Sequence, residues 1–492
     1  MAPFRILLID AAEGWLTQRK DLRDLEQVVL PHALMLLSAI VKQRFGDSIE
    51  IRVRHTLVDL PDEGDLEREL RDLAPDLVGI RGLHVYRKRF HEVAAAARRV
   101  RPGATVLGGG AYCTAAPAEA LADENIDAVV VGEGDQTLPE VVERLLAGER
   151  FDDVPGVAVR GEDDTKAHVL RHPRAFVDDL DTLPFPDYDV VDLERYERYV
   201  TYGYNRRRQG VVMSSRGCPY RCAYCHNMFG RKFRARSADN VVSEIRALHD
   251  ERNVRDIYFI DDNFNMDRER VERFCDLMAD GPKVNLYFAN GLRADLLDPP
   301  LIDRLIEAGM IWVTYALETA TPRLQKLIRK NIKLDRLREV IAHTCARDVM
   351  VNVCFMVGFP TETEDEARAT LDFVHQFDRL VVPMFFSVKY YPNTDMFKIG
   401  LEHGLDLERS DAAYDEPYHD VSHGGTPTLP PVKLKELYYR FLRETFMSRT
   451  RLENALRIQR QYMDEQELLD AYSLFFRRRI RDIEKDVLRF AR

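Results

Sequence analysis

The chain has 492 residues, of which 45% are hydrophobic and 31% are charged, and its formal net charge is −11. This length exceeds one ordinary hydrophobic core, so we expect several domains in a globular protein of ordinary composition. The acidic balance gives the molecule no general electrostatic attraction to nucleic acid or to an anionic membrane. We therefore expect no nucleic-acid partner.

The beginning of the chain, "MAPFRILLIDAAEGW", has a short apolar run and no preceding basic segment. A buried strand is predicted there rather than a signal peptide. No run approaches the roughly 18 apolar residues of a membrane span, so none is expected. Seven cysteines without a secretion signal indicate reduced thiols and a cytoplasmic protein.

The first 150 residues alternate short β-branched runs with amphipathic stretches, which predicts parallel βαβ units in a Rossmann-like, doubly wound sheet. The predicted strands are 4–10, 49–55, 76–82, 104–110 and 127–134, and the clearest helices are 31–45 and 86–101. Such sheets bind ligands at the carboxyl ends of their strands. Glycines that allow a close backbone approach follow two strands there: Gly109, Gly110, Gly132 and Gly134. A G-x-G-x-x-G sequence is missing, which weakens a dinucleotide interpretation.

The alternation stops at about residue 151 and resumes near 206. The segment 151–205 contains a predicted hairpin, "VPGVAVRGEDD", and the proline-rich and acidic "LDTLPFPDYD" of a connecting region. A domain boundary is predicted near residue 190.

Residues 206–400 repeat strand and helix at intervals of about 30 to 40 residues, which predicts a partial (β/α)6 barrel of the TIM type. The predicted strands are 210–217, 256–262, 284–291, 312–319, 351–360 and 384–394. In such barrels the chemistry gathers at the C-terminal ends of the strands. Polar or special residues follow five of these ends: Cys218, Asp261 with Asp262, Arg293, Glu318 and Gly358. Residues 401–492 are predicted to be mainly helical.

The stretch "SSRGCPYRCAYCHN" places Cys218, Cys222 and Cys225 within eight residues. A zinc site would need a fourth ligand, and His226 is poorly placed because it adjoins Cys225. The sequence "CAYCH" also matches a haem attachment pattern, which normally requires export. An iron–sulfur cluster fits three closely spaced thiolates better and leaves one iron open for a ligand. The other four cysteines are expected to be buried apolar residues.

"CPYRCAYC" resembles the signature of the radical S-adenosylmethionine (SAM) enzymes. The resemblance implies a [4Fe–4S] cluster on the three cysteines, with SAM bound at the fourth iron, where reductive cleavage gives a 5′-deoxyadenosyl radical. "FIDDNF", "NGLRADLL", "YALETA" and "FMVGFPTET" resemble later strand motifs of this family. The residues implied as cofactor contacts are Tyr224, Asp261, Asp262, Arg293, Glu318 and Gly358. Ala316 and Thr319 depart from the usual glycine and serine of the family.

The upstream sheet, with "GGGAYCTAAPAEAL", "DAVVVGEGDQTLPEVV" and "LDTLPFPDYD", resembles the cobalamin-binding branch of that family. The resemblance implies cobalamin beside Gly109, Gly110, Gly132 and Gly134. The Asp-x-His-x-x-Gly motif that supplies a histidine to cobalt is missing, and neither His84 nor His91 lies in such a pattern. The lower ligand of cobalt is therefore left open.

These resemblances imply a cobalamin-dependent radical enzyme, most simply a C-methyltransferase acting on an unactivated carbon of a small molecule or peptide. Cyclisation, ring contraction or rearrangement without methyl transfer is the alternative, and a non-catalytic iron–sulfur protein is the alternative of another class. A methylthiotransferase is disfavoured because residues 1–190 contain only Cys113. The family implies an external electron donor such as flavodoxin or ferredoxin.

Two further segments are ambiguous in the sequence. Tyr390, Tyr391 and Asn393 could line a substrate cavity or belong to an aromatic barrel core. His419 and His423 have a metal-like spacing, and an ordinary polar lid is favoured for them.

Overall fold

The structure is a computed structural model that describes residues 2–12, 27–161, 168–170, 172–226, 228–381, 383–391, 393–405 and 425–473. His419, His423 and the arginine-rich C-terminal segment from residue 474 lie outside the described residues. The chain forms two compact units. The first contains Met1–Tyr196, Arg216–Pro219 and His226–Arg236, and the second contains Glu197–Ser215, Tyr220–Cys225 and Ser237–Arg492.

The first unit is built on a seven-stranded sheet. Its strands are β1 Phe4–Ala11, β2 Ile49–His55, β3 Leu77–Gly82, β4 Thr105–Gly109, β5 Ala128–Val130, β6 Val157–Arg160 and β7 His168–Leu170. The order is β2-β1-β3-β4-β5-β6-β7, parallel from β2 to β5, with the antiparallel hairpin β6–β7 added at one edge. The predicted doubly wound sheet is confirmed.

Helices cover both faces of this sheet, as parallel strands with two apolar faces require. They are α1 His32–Phe45, α2 Glu63–Leu73, α3 Arg87–Val100, α4 Gly110–Ala115, α5 Pro117–Leu121, α6 Thr137–Leu146 and α7 Leu193–Tyr196. Strand β1 sends Ile6 and Leu8 into the core that includes α1 and α6, and Leu7 and Ile9 into the core that includes α2 and α3. The sheet is thus buried on both sides, and its ligand-binding edge is left at the carboxyl ends of the strands.

Strand β5 is shorter than predicted because it ends at Val130, before the glycines. Gly132 has φ +88°, a left-handed conformation that does not continue a strand. The sequence "GEGD" is therefore a turn rather than the end of the strand.

The second unit contains a six-stranded parallel sheet. Its strands are β8 Gln209–Val212, β11 Asp256–Phe259, β12 Asn285–Leu292, β13 Met310–Glu318, β14 Met350–Val357 and β15 Met384–Ser387, separated in the chain by the short paired strands β9 Ser215–Arg216 and β10 Arg234–Ala235. The order β15-β14-β13-β12-β11-β8 follows the chain without exception, with β15 and β8 at the edges. The predicted partial (β/α)6 barrel is confirmed.

The helices of the second unit follow these strands and continue into a helical C-terminal region. They are α8 Ala238–Arg252, α9 Arg268–Ala279, α10 Pro299–Glu307, α11 Pro322–Leu327, α12 Leu334–Cys345, α13 Glu364–His375, α14 Asp395–Glu402, α15 Pro431–Phe446 and α16 Arg449–Gln459. Phe441 of α15 packs edge-on against Phe355 of β14, with ring centroids 5.4 Å apart. None of the helices in the described ranges is long and apolar enough to cross a membrane.

Candidate functional site

A buried ion pair lies at the carboxyl end of β13. The Lys330 ammonium is 2.7 Å from the Glu318 carboxylate, and both side chains are about nine-tenths buried. The Tyr224 hydroxyl donates to the same carboxylate oxygen at 2.9 Å. Burial, and then the negative charge of Glu318, raises the pKa of Tyr224 well above its usual range. Tyr224 is therefore a protonated donor that connects the cysteine segment to the barrel.

Glu318 is held in an uncommon backbone conformation, with φ +65°. A register shift in the pairing of β13 with β14 falls between Ala316 and Glu318. The Gln325 amide fixes the strand end by donating to the carbonyls of Leu317 at 2.9 Å and Thr319 at 2.6 Å. A non-glycine residue at positive φ persists only where its surroundings fix it, and such residues concentrate at functional sites.

Arg293, at the end of β12, is joined to the same cluster. Its guanidinium lies 3.5 Å from the centroid of the Tyr220 ring, which is a cation–π contact. It also donates to the Lys330 carbonyl at 3.1 Å and pairs with Asp295 at 2.8 Å. The sequence predicted Arg293, Glu318 and Tyr224 as cofactor contacts, and the structure brings all three to one network. Their contacts with a cofactor stay a prediction.

The two aspartates after β11 have different environments. Asp261 is 2% exposed, and its carboxylate accepts hydrogen bonds from the Ser214 amide and from the hydroxyls of Ser214 and Ser215. It therefore anchors the backbone that leads into the cysteines. Asp262 is exposed. The predicted cofactor contacts of both residues remain predictions.

Gly358 follows β14 with φ +101°, and its amide donates to Glu362 Oε2 at 2.6 Å. The Phe359 amide donates to the same oxygen at 3.1 Å. The other oxygen, Oε1, has no hydrogen-bond partner among the described residues, and Glu362 is fully buried. Burial raises the pKa of Glu362 to about 8, so the buried group is a protonated acid at neutral pH.

Glu362→Gln should stabilise the protein increasingly as the pH rises. An acid whose folded pKa is raised loses stability between its unfolded pKa of 4.5 and its folded pKa of about 8. Glutamine keeps the acceptor oxygen and does not ionise. The difference in unfolding free energy should grow by up to about 1.4 kcal/mol per pH unit from pH 5 to 8. Urea unfolding at both pH values measures it.

Glu366→Gln is the matched control, because Arg323 holds the pKa of Glu366 below its usual range. The Glu366 carboxylate is ionised in the folded and the unfolded state from pH 5 to 8. The difference in unfolding free energy between Glu366→Gln and the wild type should therefore stay constant over this range. If the difference in unfolding free energy between Glu362→Gln and the wild type is equally independent of pH, Glu362 is not a buried neutral acid.

The three clustered cysteines are more exposed than three of the other four. Cys218 and Cys222 are half-buried and Cys225 is exposed, whereas Cys113, Cys275 and Cys345 are buried, and none of the seven is in a disulfide. Cys354, also predicted to be buried, has intermediate exposure. No group of three or more His, Cys, Asp or Glu side chains within the described ranges is arranged to hold a metal ion. A cubane cluster takes one thiolate on each of three irons, so the three thiols do not have to meet at one ion.

Two of the four predicted glycines at the carboxyl edge of the first sheet border open space. A Cβ added at Gly109 would meet nothing within 4 Å, and one at Gly132 would meet only Phe176, at 3.7 Å. Gly110 has φ +84°, and a Cβ there would lie 2.8 Å from the Arg81 side chain. Gly134 packs near Leu37. Gly109 and Gly132 therefore border open space, whereas Gly110 and Gly134 serve the local packing.

The same unit contains a buried histidine that the sequence did not single out. His32 begins α1 and is 5% exposed, and neither ring nitrogen has a hydrogen-bond partner in the described part of the chain. Burial, followed by the charge of Arg216, lowers the pKa of His32 to about 3, so the ring is neutral. By contrast, His91 contacts Asp123 and the Tyr112 hydroxyl at 2.7 and 3.0 Å.

Two family models match the chain in the regions of these sites. The model of the B12 binding domain matches residues 21–142, and that of the radical SAM superfamily matches residues 212–374. The chain is a radical SAM protein with a B12-binding domain. The predicted family resemblance is confirmed. The radical SAM domain implies a [4Fe–4S] cluster and SAM, and the B12-binding domain implies cobalamin.

Two related methyltransferases are identical to the chain at about a quarter of the aligned residues. An uncharacterized methyltransferase of Pyrococcus horikoshii is 25% identical over 76% of this chain and 79% of its own. The cytidylyl-2-hydroxyethylphosphonate methyltransferase of Streptomyces wedmorensis is 27% identical over 64% of each chain. The solved structure of TsrM from Kitasatospora setae, a radical SAM methyltransferase with cobalamin and a [4Fe–4S] cluster bound, shares the fold. Its TM-score is 0.65 at 19% identity, covering 81% of this chain and 74% of TsrM.

The residues present fit the implied groups. Three free thiols in eight residues supply the donors for a cluster with one open iron. Gly109 and Gly132 border open space at the edge where a doubly wound sheet binds ligands. His32 adds a neutral imidazole without a partner in the described residues.

Sequence patterns missed Lys330, Glu362 and His32. Lys330 lies in "IRKNIK", after a short helix, where a lysine is normally solvated. Its burial follows from the approach of this loop to the end of β13. Tyr390, left ambiguous, packs in an apolar cluster with Phe359 and Met396, and its hydroxyl donates to the Gly358 carbonyl at 2.6 Å. This placement favours the aromatic core.

Proposed function

We propose that the protein is a cobalamin-dependent radical SAM enzyme that transfers a methyl group to an unactivated carbon of a small-molecule or peptide substrate. The observation that carries this proposal is the presence, in one chain, of a B12-binding domain and a radical SAM domain with the Cys-x₃-Cys-x₂-Cys motif. The methyltransferase descriptions of two relatives support it. The domain limits that we propose are 1–150, 151–205, 206–400 and 401–492.

When bound, the cluster and SAM supply a radical that removes a hydrogen atom, and cobalamin supplies the methyl group. Cys218, Cys222 and Cys225 hold the cluster as thiolates. Arg293 offers a fixed positive charge to the carboxylate of SAM, because Tyr220 and Asp295 orient its guanidinium.

Glu318 contributes a carboxylate acceptor that is kept in place by two neighbours. Lys330 compensates its buried charge, and the protonated Tyr224 hydroxyl donates to it. The amino group of SAM is a hydrogen-bond donor, so this carboxylate is suited to orient it. Preorganised groups of this kind lower the entropic cost of holding reactants together. Electrons are supplied by an external one-electron donor of the flavodoxin or ferredoxin class.

Anaerobic incubation of the reconstituted protein with SAM and dithionite tests the radical step. We expect 5′-deoxyadenosine and methionine, and absence of 5′-deoxyadenosine overturns the enzymatic proposal in favour of a non-catalytic iron–sulfur protein. SAM labelled in its methyl group then tests the reaction type. A substrate that is converted without gaining the label would show cyclisation or rearrangement instead of methyl transfer.

A further inference from the structure

Four buried charges in the first unit have no part in the proposed chemistry. Two are the arginines that flank the cysteine segment, Arg216 and Arg234, and two are the acids of the turn after β5, Glu133 and Asp135. All four side chains are at least nine-tenths buried. Two positive and two negative charges compensate one another there.

The pairing is specific in its geometry. Arg216 donates to both oxygens of Asp135, at 2.6 and 3.2 Å, and Arg234 donates to both oxygens of Glu133, at 2.6 and 3.1 Å. Arg216 is also 3.4 Å from Glu133, which joins the two pairs. Bidentate arginine–carboxylate pairs fix orientation as well as distance. Buried ion pairs are weak evidence for stability and are better explained where they fix one arrangement.

These arginines control where the cysteine segment begins and ends. Arg216 and Arg234 belong to the paired strands β9 and β10, which close the loop 217–233. Gly217 has φ +82°, and a Cβ there would lie 2.3 Å from the Lys232 carbonyl. The Cys218 amide donates to the Gly230 carbonyl at 3.2 Å. A shift of Arg216 therefore moves Cys218, which lies two residues away in a tightly closed turn.

Arg234 holds the returning end of the same loop. It donates to the carbonyls of Phe229 at 2.9 Å and Val177 at 2.6 Å. The Phe176 ring lies 4.8 Å from its guanidinium, and a Cβ at Gly230 would strike that ring. The returning end is thus packed as closely as the first.

The two acids of this network alternate in the chain with two glycines, one of which borders open space. In the turn "GEGD", Gly132 borders open space at the carboxyl edge of the sheet, and its amide donates to the Thr114 hydroxyl at 3.0 Å. Glu133 and Asp135 are buried and bind the arginines. One four-residue turn therefore borders the edge proposed for cobalamin and holds both ends of the cysteine loop.

We infer that Glu133 and Asp135 are positioning residues that couple cobalamin binding to the assembly of the cysteine loop. The inference rests on the proposed function, because it takes cobalamin and the cluster as the ligands. A turn that cobalamin orders places Arg216 and Arg234 for the loop, and a loop ordered by its cluster places the turn for cobalamin. Coupling of this kind is reciprocal, so each group must tighten the binding of the other by the same factor.

Binding measurements without turnover test this inference. Cobalamin is titrated by its absorbance into the protein with and without a reconstituted cluster, and iron and sulfide are counted in each sample. In the wild type we expect the cluster to tighten cobalamin binding at least about fivefold, the lower end of ordinary coupling. The coupling factor is the Kd of cobalamin without the cluster divided by its Kd with the cluster. In Asp135→Asn and Glu133→Gln this coupling factor should fall to about one. The electron paramagnetic resonance spectrum of the reduced cluster should also broaden in both variants, because the Cys218 end is no longer fixed.

Asp127→Asn is the matched control. Asp127 precedes β5 and pairs with Arg98 at 2.7 Å, so this variant breaks an aspartate–arginine pair at the other end of the same strand. The Asp127→Asn protein should keep the coupling factor of the wild type. Arg216→Lys keeps the buried charge and loses the bidentate contact, so it replaces Asp135→Asn if that variant does not fold, and it must also lower the factor.

A factor of one in the wild type, or a factor that persists in these variants, overturns the inference. Failure of the proposed function is seen separately, as absence of 5′-deoxyadenosine or of methyl transfer in protein that binds both groups.

Discussion

Cys222→Ala should abolish the formation of 5′-deoxyadenosine, with a loss of at least about a thousandfold, the scale expected for removal of an essential group. Cys222 is the central thiol of the motif, and none of the other six cysteines can replace it as a ligand at that spacing. Reconstituted protein should hold little iron and sulfide and should lack the absorbance of a [4Fe–4S] cluster. Iron content and 5′-deoxyadenosine are measured in the same sample.

Cys275→Ala supplies the control for a general loss of thiols. Cys275 lies in α9 and is 4% exposed, and burial raises the pKa of its thiol to about 12. It packs as a small apolar side chain, so its replacement should leave iron content and turnover unchanged and lower stability modestly. A Cys222→Ala protein that retains a full cluster and normal turnover would contradict the assignment of the motif.

Lys330→Met should lower the free energy of unfolding by about 3–5 kcal/mol, because it leaves the Glu318 carboxylate buried without its counter-charge. SAM binding should weaken as well, because the Glu318 carboxylate loses one of the two partners that hold it in place. Urea unfolding measures the first effect, and isothermal titration of SAM into cluster-containing protein measures the second.

The double variant Lys330→Met/Glu318→Gln separates stability from binding. Removing both charges should restore much of the stability, because no buried charge is left unpaired. SAM binding should stay weak, because the carboxylate acceptor is gone. Lys398→Met, at a side chain that is 70% exposed in a pair with Asp395, should change stability by less than about 0.5 kcal/mol. A double variant that binds SAM normally would remove Glu318 from the cofactor site.

The periodicity of the sequence predicted the parallel strands of both units in their order along the chain, but not the short pair β9 and β10. The clearest elements were accurate to within a residue, as α1 at His32–Phe45 and β2 at Ile49–His55 show. Periodicity of apolar residues is a local property, so strands in a parallel sheet can be read as buried runs. The cysteine motif was equally local, because its three ligands lie within eight residues.

The burial of charged residues, and the partners that they pair with, depend on the fold and could not be predicted from local sequence. Lys330 and Glu318 are 12 residues apart, whereas Arg216 and Asp135 are 81 apart. In the sequence, Lys330, Arg216 and Asp135 are ordinary charged residues that would be expected at the surface, and only Glu318 was predicted as a cofactor contact. They become parts of sites because the fold removes them from water, and a charge removed from water must be paired. Which charges are removed from water depends on how the whole chain folds. Local sequence patterns therefore indicated the cofactors, whereas the network of buried charges around them is seen only in the folded structure.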